Sequence, residues 1–125
     1  MSPLLVVAVA AAGGVGAALR FVVDGLVKDR LGSSHPLGTT VVNVSGSFAL
    51  GLLTGLALQG VVGPEWKAVL GTGLLGGYTT FSTASVETVR LLAAGRRGAA
   101  VANGLGMLVV CVAVASLGLW LGSRA

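Results

Sequence analysis

Four apolar stretches, at about residues 4–23, 37–58, 64–92 and 99–121, make up nearly all of this chain. Each has the roughly 20 residues that a helix needs to cross the hydrocarbon of a bilayer. The links between them, at about 24–36, 59–63 and 93–98, are short enough to force neighbouring spans together. Of the 125 residues 54% are apolar and 10% charged, and the mean hydropathy is +0.95. A soluble domain averages about a quarter charged residues. The pattern predicts an all-α membrane protein, one domain of four transmembrane helices.

Punctuation agrees with this division. Pro3, Pro36 and Pro64 precede or open spans, where a missing amide donor costs nothing. Asp24-Gly25 is expected to close the first span, with Gly25 free to take a left-handed conformation. The amino terminus lacks a basic region before Leu4–Ala12, and apolar sequence continues through Val15–Val23, so it reads as a first crossing and not a signal peptide. The 21 glycines suit helices that approach closely in a membrane.

Charge gives direction. Lys28, Arg30, Arg90, Arg96 and Arg97 fall on one predicted side, with Arg20 near the same end, against Lys67 and Arg124 on the other. The positive-inside rule then puts both termini outside the cytoplasm, in one fixed orientation in the cell membrane. The net charge of +4 is no nucleic-acid signal, because the basic residues stand singly or in pairs with no aromatic-interleaved patch. Cys111, alone in an apolar run, reads as packing. His35 has no metal-ligand companions, and no catalytic triad, zinc or phosphate-loop pattern occurs. Enzymatic activity is not expected.

Function should lie where polarity interrupts the apolar spans, since polar groups in lipid need a pathway or a partner. Thr40, Asn43, Ser47 and Thr54 share a stripe of span two, beside Gly46, Gly51 and Gly55. The Asn43 amide either ties helices together or donates to an anion. Span three is interrupted near its centre by Gly76-Gly77, followed by Thr79, Thr80, Phe81, Ser82, Thr83 and Ser85. Paired glycines permit a break whose freed carbonyls can hold an ion, or a kink healed by hydroxyls. The Phe81 ring either packs or turns its positive edge to an anion. Glu87 and Arg90 have the spacing of a surface ion pair.

These residues resemble the Fluc/CrcB fluoride channel family. The match rests on Gly16-Ala-Ala-Leu-Arg20-Phe21, on Gly38-Thr-Thr-Val-Val-Asn43-Val-Ser-Gly46-Ser-Phe48 and on Gly76-Gly-Tyr-Thr-Thr-Phe81-Ser-Thr, and covers nearly the whole chain. The resemblance implies an antiparallel dimer enclosing two narrow pores, with a structural sodium ion at its centre. The carbonyls of Gly76 and Thr79 would hold the sodium. Asn43 and Phe81 would meet fluoride, Ser82 and Thr83 would continue the track, and Arg20 would stand at the vestibule.

One departure stands out. The family pattern has a second Phe three residues after the first, where this chain has Ala84, and Ser116 is the one hydroxyl in the core of span four. A symmetric dimer would lack half its ring-edge ligands. The charge bias points the same way, because an antiparallel pair of identical chains needs both orientations. The expectation is a heterodimer with a non-identical subunit. A non-conducting assembly subunit is the alternative. A small multidrug transporter would need a carboxylate in span one, and residues 4–22 have none.

Overall fold

The computed structural model describes residues 1–32 and 36–125, so His35 lies outside the described residues. Among those described, the regular elements are all helical. We label them α1 (Pro3–Leu31), α2 (Leu37–Leu58), α3 (residues 64–78), α4 (Ser82–Ala93) and α5 (Arg97–Gly122). Three of them, α1, α2 and α5, are long and apolar enough to cross a membrane.

Helix α1 starts at a Ser2 cap, whose hydroxyl accepts the Leu5 N–H at 3.1 Å, with Pro3 in the first turn. It does not end at Gly25. The Lys28 ammonium donates to Asp24 at 2.9 Å across one turn, and the helix runs on to Gly32, where φ is +80°. A glycine in mid-helix costs only about 1 kcal/mol, and the left-handed stop falls where the Gly32 N–H closes onto the Lys28 carbonyl.

Glycine-mediated approaches fix the packing. A Cβ on Gly51 would collide with the Ala115 carbonyl oxygen, and one on Gly118 with that of Phe48, so α2 and α5 pack backbone to backbone in parallel. On the other side, Gly16 and Gly77 do the same for α1 and α3, against Leu74 and Gly13. Helices α2 and α3 run oppositely, with Gly71 beside Leu53 and Gly46 beside Thr79. Without a hydrophobic force between helices in lipid, such close van der Waals contact is what association depends on. The buried core is correspondingly small, comprising Val42, Leu53, Leu91, Ala100 and Met107.

Gly76 and Gly77 remain helical, contrary to an interruption at that pair. Gly77 is needed for its approach to α1. The chain leaves the helix at Thr79, whose ψ is 159°, and becomes helical again at Ser82. Within α5, a wide π-helical turn spans Ala102–Gly106 and is followed by regular helix from Met107.

Candidate functional site

Three non-helical residues between α3 and α4 leave main-chain groups that the helices cannot satisfy, and Asn43 of α2 meets them. Its Nδ2 donates to the Thr80 carbonyl at 2.8 Å, and its Oδ1 accepts the Thr80 N–H at 2.9 Å. The amide is 9% exposed, and its Nδ2 also lies 3.2 Å from the Met107 sulfur of α5. The amide thus links α2 to the interruption and, through Met107, to α5. The Thr79 hydroxyl and N–H both turn back to the Leu75 carbonyl, and the Thr80 hydroxyl accepts the Thr83 N–H at 3.2 Å. The Phe81 carbonyl takes the Ser85 N–H and hydroxyl. Among the described residues, these bonds across the interruption engage the oxygens of Leu75, Thr80 and Phe81 and leave those of Gly76, Gly77, Tyr78 and Thr79.

With its backbone held this way, Phe81 projects its ring outward, 86% exposed. It stands over an open groove of about 660 Å³ that Asn43, Gly76, Thr79, Ala84 and Met107 also line. A second cavity, of about 230 Å³, lies on the other side of Thr80 and contains Arg20, Asp24, Thr39, Thr80 and Thr83. Thr80 borders both, so the interruption forms the wall between them. The Nε of Arg20 and the Oδ1 of Asp24 are buried without a hydrogen-bond partner. Ser82 is exposed, with its hydroxyl 3.4 Å from that of Thr80.

Other polar groups fall differently from the sequence pattern. Glu87 does not pair with Arg90. It accepts the hydroxyl of Thr39, which is buried on α2 one turn before Asn43. Thr40 and Thr54 spend their hydroxyls on their own helix, at the carbonyls of Pro36 and Leu50. Ser47 does reach the groove. The Tyr78 hydroxyl lies 3.0 Å from that of Ser45. Asn103, 3% exposed, donates to the Thr88 hydroxyl at 2.8 Å, and Thr88 donates in turn to the Ala84 carbonyl. A lone amide in the apolar start of α5 is the signal that could have singled Asn103 out. Met107 offers no such signal, since a thioether reads as packing.

Residues 7–119 match the family model described as CrcB-like protein, Camphor Resistance (CrcB). The chain belongs to the CrcB-like family. Among CrcB-like relatives, the fluoride-specific ion channel FluC 1 of Leifsonia xyli is 56% identical over all of this chain and 91% of its own length. FluC 2 of Cutibacterium acnes is 50% identical over 90% of this chain and 93% of the relative. FluC of Shewanella amazonensis is 46% identical over 88% and 89%. These relatives are named as ion channels and not as enzymes.

Proposed function

We propose that this chain is a subunit of a fluoride channel, letting cytoplasmic fluoride leave passively through a narrow pore formed in an antiparallel dimer. In this reading residues 64–92 are one broken crossing, completing four, and both termini face away from the cytoplasm. The observation that carries it is the pairing of Asn43 with Thr80, which holds an aromatic ring out over the groove with nothing of its own chain to cover it. Family membership supplies the ion, since the relatives are named fluoride-specific.

Fluoride is small and its dehydration is expensive on the Born argument. A pore must replace that water with donors that do not hold the ion too tightly to release it. This chain offers the second Asn43 N–H, whose contact is the weakly accepting Met107 sulfur, hydroxyls at Ser82 and Thr83, and the positive edge of Phe81. Arg20, with its unpartnered Nε in the smaller cavity, raises the potential for an anion at the cytoplasmic mouth. The unengaged carbonyls of Gly76 and Thr79 suit a hard cation, and they would hold a structural sodium at the centre of the dimer. That charge would attract anions towards the pores.

Ala84 supports a non-identical partner, since it leaves the groove without a second ring. The numbered names FluC 1 and FluC 2 among relatives are what organisms with more than one such chain would carry. Fluoride efflux from liposomes tests the reading. The chain with its partner should release fluoride, and the chain alone should release far less. No efflux from either preparation would overturn the channel reading, and full efflux from the chain alone would overturn the unequal pair.

A further inference from the structure

The charged residues that line the smaller cavity are one of each sign, Arg20 and Asp24. They stand one turn apart on the same face of α1. An acid at the mouth of an anion pathway works against the ion.

Asp24 is held firmly in this place. Its Oδ2 accepts the Lys28 ammonium at 2.9 Å, and its side chain is 28% exposed. The other oxygen, Oδ1, lies against Gly38 in the first turn of α2, where an added Cβ would collide with it. There it is buried without a hydrogen-bond partner. Buried side-chain oxygens nearly always have a donor, so packing alone is a poor reason for an acid here. Electrostatics gives a better one. The first turn of α2 presents main-chain N–H groups and the positive end of a helix dipole, and Pro36 before it supplies no side-chain cap. A negative charge is favourable at that helix end, and the same charge lowers the potential that Arg20 raises.

We propose that the Asp24 carboxylate sets how readily anions enter this channel, by offsetting Arg20 at the cavity that both line. The proposal rests on the fluoride-channel reading. A charge acts across several ångströms and needs no contact with the ion, so the burial of Oδ1 against Gly38 does not silence it. Asp24 lines the smaller cavity and Phe81 the groove, on opposite sides of the Thr80 wall. The carboxylate therefore acts on the concentration of fluoride at the mouth and not on its passage past the ring.

The test is the fluoride current through the channel, in the dimer it forms, in a planar bilayer at low ionic strength. Asp24→Asn removes the charge and keeps an oxygen for Lys28. Current at low fluoride should rise about three-fold, the weight of one charge about 6 Å away in water. Current at saturating fluoride should stay level. Added potassium gluconate should shrink the difference by screening. Lys28→Gln removes the cation of the same ion pair and should lower the current at low fluoride.

A gain of current cannot come from a loss of folded protein, which separates this role from a purely structural one. Unchanged current at low fluoride in Asp24→Asn overturns the proposal and leaves the channel reading in place. So does a gain that survives high salt, and so does a loss that follows a lower melting temperature. If Asp24→Asn does not fold, a current in Lys28→Gln that equals that of the unaltered channel overturns the proposal by itself. If the unaltered channel carries no fluoride current, both readings fall.

Discussion

Asn43 and Thr80 clasp each other in both directions, Nδ2 to carbonyl at 2.8 Å and amide N–H to Oδ1 at 2.9 Å. The pairing imitates a strand-like main-chain contact with a side chain, and it fixes three residues that no helix holds. It also places Thr80 on the wall between the Arg20 cavity and the Phe81 groove. Any loosening of the clasp should register at both.

Asn43→Ala is expected to leave the half-buried Thr80 N–H and carbonyl without their partner, a loss of about 1 kcal/mol for each. Thermal unfolding in detergent should show a lower midpoint. Fluoride efflux from the paired channel should fall at least as strongly as with Phe81→Ile, which removes the ring and spares the clasp. Unchanged efflux in both variants would favour the non-conducting assembly subunit.

Gly51→Leu should prevent α2 from meeting α5. The space beside Gly51 is occupied by the main chain at Ala115, which cannot move aside as a side-chain tip could. Overpacking of a tight contact costs about 1–3 kcal/mol and often more where backbone must shift. Resistance of the folded chain to SDS is the measurement. Gly14→Leu serves as the control, because a Cβ added there would meet nothing within 4 Å. Equal losses in the two variants would contradict the packing of α2 on α5.

The sequence made the apolar helices and the close approaches at Gly51 and Gly55 readable, since length, hydropathy and Gly-x-x-x-Gly spacing are local properties. Gly118 and Gly122 on α5 carry the same spacing and face the first pair. The polar interruption was readable too, but its position was not. Gly76-Gly77 carries the strongest local signal, yet the helix ends at Thr79 because Asn43, 37 residues away, takes the groups of Thr80. The same limit separates Thr39 from Thr40. Both lie near one stripe with Asn43, and only the packing of α4 against α2 decides that Thr39 faces Glu87. Helical period gives a face to within about one residue, and a hydrogen bond needs better than that.

Thr39→Val tests the contact with Glu87. Valine keeps the shape and removes the hydroxyl, so the carboxylate loses its donor across the α2–α4 interface. The expected loss is about 1–3 kcal/mol, the cost of leaving a polar group in the interface without its partner. Thr39→Ser should restore most of it, since the hydroxyl returns. Unfolding midpoints of the two variants decide the point, and equal midpoints would mean that the methyl and not the hydroxyl matters.

Ala84→Phe should change what the chain can do alone. Ala84 lines the groove beneath the exposed Phe81 ring, and the groove of about 660 Å³ has room for an aromatic side chain. A ring there would restore the edge-on electropositive contact that a fluoride pathway with one phenylalanine per subunit lacks. Chain reconstituted from detergent can insert in either direction, so the orientation bias of the cell does not prevent antiparallel pairing in liposomes. Efflux from Ala84→Phe alone should therefore exceed that of the unaltered chain alone by about ten-fold, one favourable contact of roughly 1.4 kcal/mol. If efflux does not rise, the missing ring is not what makes the chain depend on a partner. Span four would then be the place to look, where Asn103 and Met107 face the same groove.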